Sequence, residues 1–167
     1  MTPVCDHTSV GILVRRDGQL LLIERKRPPI GWAPPAGHVD DQESYEAAAR
    51  SELFEEVGLR AISLTLIAEG RRDNPCRRQG GTWHNWKIYQ ADAQGDPKPS
   101  EQEVKRLHWC TRDELETLAA RTRLFLEKKL SEPDWKSQPG LEPIWLEWLQ
   151  LLGVVGTEYT KSRKRNG

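Results

Sequence analysis

Residues 37–59 read GHVDDQESYEAAARSELFEEVGL. Within this stretch Glu52, Glu55 and Glu56 stand at i, i+3 and i+4. Each helical residue turns about 100°, so the three carboxylates fall within an arc of roughly 100°. Acids that close repel one another on a bare helix, and a divalent cation is the natural compensation. The neighbouring residues support the helix itself. Ser44 suits the N-cap, and the alanines behind it are strong helix formers. Tyr45, Ala49, Leu53 and Val57 recur at i+4, which predicts a buried stripe. Gly58 stands where a glycine closes a helix.

Outward from this helix the chain alternates between strand and helix patterns. Residues 9–15 (SVGILVR) and 19–24 (QLLLIE) flank Asp17-Gly18 and predict a hairpin. A basic, proline-bearing loop follows at 25–30. After the helix, residues 62–68 predict a strand, 70–81 (GRRDNPCRRQGG) a long polar loop with four arginines, and 82–91 an alternating strand. Residues 104–109 predict another strand. Thr111 then caps a helix over about 112–120, with Glu114 in the capping-box position. Residues 133–152 hold Trp135, Trp145 and Trp148, and Ile144, Trp148, Leu151 and Leu152 repeat at helical spacing. This predicts a C-terminal helix packed on the domain. The same tryptophans would also suit a homodimer contact. Residues 154–167 end in KSRKRNG and read as a basic, frayed tail.

Composition sets the bounds. A chain of 167 residues predicts one domain with a tail, long enough to bury roughly 70% of its unfolded surface without a staple. Lys+Arg and Asp+Glu total 25 each, so net charge points to neither nucleic acid nor membrane. No apolar run approaches the roughly 20 residues of a membrane span, and the N-terminus does not read as a signal peptide. Cys5, Cys76 and Cys110 are odd in number and far apart, which suits free thiols in the cytoplasm. A zinc site through Cys5, His7, Cys76 and His84 has no C-x-x-C or H-x-x-x-H spacing to support it.

The stretch 37–59 resembles the Nudix box, the signature of the Nudix hydrolase family. Gly37, Glu43, Glu52, Leu53, Glu55, Glu56, Gly58 and Leu59 match its pattern at the required spacing. One position departs: the box arginine is replaced by Ser51, and an arginine stands one place early at Arg50. The resemblance implies an α/β/α sandwich with a mixed central sheet, here with a C-terminal helical extension. The implied division is a Nudix domain at 1–122, a Trp-rich extension at 123–153 and the tail at 154–167.

Family members hydrolyse a nucleoside diphosphate linked to another moiety, with Mg²⁺ or Mn²⁺. The resemblance carries the catalytic role to Glu52, Glu55 and Glu56. It carries metal ligation to the same three and to the backbone carbonyl of Gly37. Magnesium takes oxygen ligands and keeps several waters, and developing phosphoryl charge needs metal and fixed donors. An additional acid is expected at Glu101 or Glu103. Ser51 cannot orient the acids as the family arginine does; Arg50, or one of residues 25–27, would have to substitute, and Ser51→Arg is expected to raise kcat.

The box does not set the substrate; loops do. Arg71, Arg72, Arg77 and Arg78 suit phosphate recognition, and Trp32 and Trp86 are candidates to stack on a base. His84 reads as a surface strand histidine. Pro75 lies 16 residues after Leu59, about where members that cleave ADP-ribose often have a proline. The resulting expectation is a cytoplasmic pyrophosphohydrolase acting on a small nucleotide of the ADP-ribose or nucleotide-sugar type. The alternative, motivated by Ser51, is a catalytically silent Nudix domain that senses a nucleotide.

Overall fold

A computed structural model describes residues 2–157. Strands β1 (Thr8–Arg16) and β2 (Gln19–Arg25) form the expected hairpin, closed by the Arg15–Leu20 and Arg16–Gln19 pairs. Two short strands follow, β3 (Trp32–Ala33) and β4 (Ala36–Gly37), then helix α1 (Tyr45–Val57). Strands β5 (Arg60–Arg72), β6 (His84–Gln94) and β7 (Val104–Cys110) lead to helices α2 (Arg112–Leu126), α3 (Glu132–Ser137) and α4 (Pro143–Leu151).

The sheet is mixed. β1 runs parallel to β6 from Thr8–Asn85 to Val14–Ala91, whereas β5–β6, β1–β4, β2–β3 and β2–β7 are antiparallel. Side chains alternate across a strand, and the chain uses both faces. Leu20 and Leu22 of β2 join α2 and α4 in one core; Leu21 and Ile23 join α1 in the other. Helices therefore cover both faces, and the molecule is an α/β/α sandwich.

Helix α1 forms as its sequence dictates. The Ser44 side chain accepts from the Ala47 N–H at 3.0 Å, and Gly58 ends the helix in the left-handed region at φ +72°. Ala49, Leu53 and Val57 are buried, with Tyr45 half-buried against the same core. The capping box at Thr111 and Glu114 is also present.

Several expectations are corrected. β5 runs on through Arg72, because the residues read as loop pair with β6 as far as Arg72–His84. Helix α2 continues past Ala120 to Leu126, across the boundary drawn after residue 122. The segment 133–152 is two helices, interrupted around Pro139-Gly140, rather than one. Trp145 and Trp148 are fully buried, and Trp86 meets them edge-on at 5.5 Å and tilted at 6.2 Å. Their burial within the chain removes the reason for reading them as a dimer contact. Replacing either by Ala would cost ~3–5 kcal/mol. Leu151 faces solvent instead of the core, and Val154 and Val155 are buried instead of frayed; the basic run at 158–167 lies outside the described residues. No helix among the described residues is long and apolar enough to cross a membrane.

Candidate active site

The inner face of α1 carries Glu52 and Glu56 into a cavity of about 190 Å³. Positions four apart share one helical face, and here that face looks toward β4. Glu56 is 3% exposed, and one of its oxygens accepts the Ala36 N–H at 3.0 Å. Gly37 follows directly. A Cβ on Gly37 would overlap the Glu52 carboxylate, so glycine is what lets acid and backbone meet.

The electrostatics of this pair are severe. Burial, reinforced by the charges of Glu55 and Glu103, pushes the Glu52 carboxyl up to about 8. Burial and then the Glu52 charge push Glu56 well above the usual carboxylate range, against the Ala36 N–H and the Arg25 charge. Two desolvated acids facing one another favour the neutral form unless a cation enters. The donors are oxygen atoms alone, which suits a hard divalent ion.

The remaining expected residues divide. Glu55 is exposed and outside the cavity wall, at the outer edge of the arc the three acids share. Glu103 lines the cavity; Glu101 does not, and its backbone carbonyl accepts from Lys26 Nζ. Arg77 and Arg78 line the cavity, with Arg78 paired through both nitrogens to Asp40. Arg71 and Arg72 stand outside it, lying over the rings of Trp83 and Trp148 at 4.2 Å each. Trp32 is likewise outside, beneath Arg106 at 5.4 Å. Trp86 reaches the cavity but is 5% exposed, and its indole N–H donates to Asn74 Oδ1 at 3.0 Å. It is a core residue whose edge forms wall.

The Ser51 position is answered in part. Arg50 turns away and donates to the Ala61 carbonyl at 2.7 Å. Arg25, at the end of β2, lines the cavity, and its charge opposes the upward shifts of both Glu56 and Glu142. Its Nε is buried without a hydrogen-bond partner among the described residues.

Of the wall residues outside the expected set, Glu142, Trp145 and His38 bear most on the chemistry. Glu142 is 6% exposed, and burial pushes it up to about 7 against the Arg25 charge. It precedes Pro143, and its N–H donates to the Trp32 carbonyl at 2.9 Å, which ties the C-terminal extension to the cavity. Trp145 comes from the same extension. The third, His38, is pushed down to about 4 by burial and the Arg78 charge. Only His38 carried a signal, as the neighbour of Gly37. His84 was expected on the surface and is 1% exposed.

Comparison with known proteins bears on the family. A family model described as the NUDIX domain matches residues 6–130. A curated relative, the RNA pyrophosphohydrolase of Caulobacter vibrioides, is 43% identical over 61 residues, which is 35% of this chain and 36% of that protein. The chain thus matches only about a third of that relative's length. Among solved structures, a MutT NUDIX hydrolase from Burkholderia pseudomallei is 31% identical with a TM-score of 0.56, covering 64% of this chain and 84% of that one. A NUDIX hydrolase from Nitrosomonas europaea, 21% identical, shares the fold with a TM-score of 0.58 over 81% of this chain and 91% of its own. By motif, fold and family match together, the chain belongs to the Nudix family.

Proposed function

We propose that this chain hydrolyses a phosphoanhydride bond in a nucleoside diphosphate linked to another moiety, using a divalent cation at Glu52 and Glu56. The observation that carries the reading is the buried, mutually repelling pair of carboxylates against the glycine of β4. Such a pair is costly in the absence of a cation.

Glu52, Glu56 and the Gly37 carbonyl would hold Mg²⁺ or Mn²⁺, with Glu55 contributing at the rim. The bound ion supplies neutralisation of phosphoryl charge and an activated water. The protein's own residues do the rest. Arg77 and Arg78 border the cavity and suit oxygens of the diphosphate, Arg78 being pre-oriented by Asp40. Arg25 takes the orienting role left open by Ser51. Glu103 is the candidate additional acid. Trp145 and Glu142 contribute buried wall to the cavity.

The cavity is smaller than the roughly 300–1,000 Å³ of a drug-sized pocket. It suits the diphosphate, with the flanking groups lying along the rim. Pro75 lines that rim, which supports an ADP-ribose or nucleotide-sugar substrate. The curated relatives named RNA pyrophosphohydrolase make RNA the competing substrate. A second reading, nucleotide binding without turnover, has its own observation: Ser51 is uncharged and Arg50 is engaged elsewhere.

Product release from ADP-ribose, nucleotide sugars, dinucleoside polyphosphates and 5′-triphosphorylated RNA, with and without Mg²⁺ or Mn²⁺, tests the proposal. Metal-dependent turnover of one compound, absent in Glu56→Gln, is expected. Tight nucleotide binding with no turnover across the panel would replace it with the second reading.

A further inference from the structure

Cys5, His38, Cys76 and His84 converge from four separate parts of the chain, and one donor atom from each lies within 4.8 Å of all the others. Cys5 Sγ stands 3.6 Å from His38 Nε2 and 3.3 Å from His84 Nε2. With Zn–S of about 2.3 Å and Zn–N of about 2.0–2.1 Å, the sulfur–nitrogen edge of a tetrahedral site is about 3.6 Å. The observed separations lie close to that edge.

A thiol hydrogen-bonded to a histidine would explain one such distance. It does not explain why two thiols and two imidazoles meet, nor how the backbone treats both sulfurs. The His7 N–H donates to Cys5 Sγ at 3.3 Å, and the Arg78 N–H donates to Cys76 Sγ at 3.4 Å. In each case the donor lies two residues after its cysteine. Both sulfurs thus serve as acceptors for backbone N–H groups.

The surrounding chain is built around these sulfurs. The Cys76 N–H donates to the Gly81 carbonyl at 2.8 Å, and a side chain at Gly81 would overlap Cys76 Sγ. The N-terminal segment is strapped to the same loop: the Cys5 N–H donates to the Gln79 carbonyl at 2.8 Å, and the Gln79 N–H to the Pro3 carbonyl at 2.9 Å. His7, the histidine nearest Cys5 in sequence, is occupied elsewhere. It stacks on Trp83 at 3.9 Å with its Nδ1 3.0 Å from the Trp83 carbonyl.

We infer that Cys5, His38, Cys76 and His84 form a second metal site, a Cys₂His₂ centre for a thiophilic divalent cation of the zinc type. Two thiolates and two imidazoles select zinc over magnesium, while the carboxylates of α1 have the opposite preference. Four protein ligands complete a tetrahedron, so this centre is structural and has no open position for a reacting water. It fastens the N-terminal segment and the loop bearing Arg77 and Arg78 to His38, the residue after Gly37. The geometry stands whether or not the carboxylate site hydrolyses a nucleotide.

The test is metal content. The full chain, purified without chelator from zinc-supplemented medium, is expected to carry about one zinc per molecule. That zinc stays in Glu56→Gln and in Cys110→Ser and is lost in Cys76→Ser. Because Cys76→Ser can fail to fold, Co²⁺ substitution of the wild-type chain gives an independent reading. The expected spectrum has the ligand-field bands of a tetrahedral site and a thiolate-to-cobalt charge-transfer band. A six-coordinate cobalt spectrum without that band, zinc that survives in folded Cys76→Ser, or a Cys5–Cys76 disulfide in the freshly purified zinc-free protein would overturn the inference.

Discussion

The cavity is bordered by two clusters of metal-seeking side chains that differ in chemistry and in origin. One is hard: Glu52 and Glu56, two oxygen donors four residues apart on α1, beside the Gly37 backbone. The other is soft: two sulfurs and two imidazoles gathered from the N-terminal segment, the residue after β4, the loop between β5 and β6, and the start of β6. Helical periodicity alone brings the first cluster together. The second exists only because the sheet is complete, since β1 must lie beside β6 before Cys5 can meet His84. The first suits a cation that keeps water and exchanges; the second suits a cation held for good.

The largest expected effect breaks the hard site alone. Glu56→Gln should lower kcat by roughly 10³-fold or more, equivalent to ~4 kcal/mol. Its melting temperature without metal should be unchanged or higher, because an unfavourably buried acid is removed. Steady-state hydrolysis and a thermal melt on one preparation check both. Comparable turnover by the variant would reject the ligand assignment.

Chelation separates the two sites next. Withdrawing Mg²⁺ should stop turnover and lower the melting temperature only slightly, because a weakly held, exchanging ion stabilises little. Stripping the tightly held ion with a strong chelator should lower the melting temperature by several degrees, because binding to the folded state alone stabilises it. Calorimetry with each treatment decides this, and indifference to the strong chelator would remove the contrast.

Glu142 sharpens the comparison from the C-terminal extension. Its folded value of about 7 lies above the ordinary 4.5, so the folded chain holds the proton more tightly than the unfolded one. Stability from this group is fully present below pH 4.5 and is lost as pH rises toward 7. At most ~3 kcal/mol is at stake. In Glu142→Gln that component of the fall should vanish, leaving the variant more stable than wild type at pH 8 relative to pH 5. Urea titrations across this range measure it, and parallel curves would contradict the assignment.

The smallest effects concern the missing arginine. Arg25→Ala should reduce kcat by roughly 10–100-fold, or ~1.4–2.8 kcal/mol. Ser51→Arg should raise the wild-type rate only a few-fold, because Arg25 already faces the acids, and more in the Arg25→Ala background. The double-variant cycle measures this, and strictly additive effects would mean that the two positions do not share a role.

What could be read from the sequence follows the same division. Helix α1 was fully legible because its cap, its stripe and its closing glycine are local. So were the hairpin and the capping box of α2. The far end of β5 was hidden because it lies at the edge of the sheet, where Arg71 and Arg72 pair with β6 without a buried alternation. Helix α2 ran past its expected end because residues 121–126 contain no breaker. The Cys₂His₂ cluster was not legible: Cys5, His7, Cys76 and His84 lack the ligand spacing that would support a site, and His38 stands apart from all of them in sequence. His7, nearest to Cys5 in sequence, is turned to Trp83 instead. Glu142 left no mark, because an acid before a proline at a helix start has an ordinary local reason to be there.

Manganese binding to the wild-type chain and to Glu56→Gln, followed by electron paramagnetic resonance, tests the hard site most directly and does not depend on knowing the substrate. The account predicts saturable Mn²⁺ binding by wild type and at least tenfold weaker binding by the variant, about 1.4 kcal/mol or more. Equal affinities in the two proteins would show that the acids of α1 do not hold the cation.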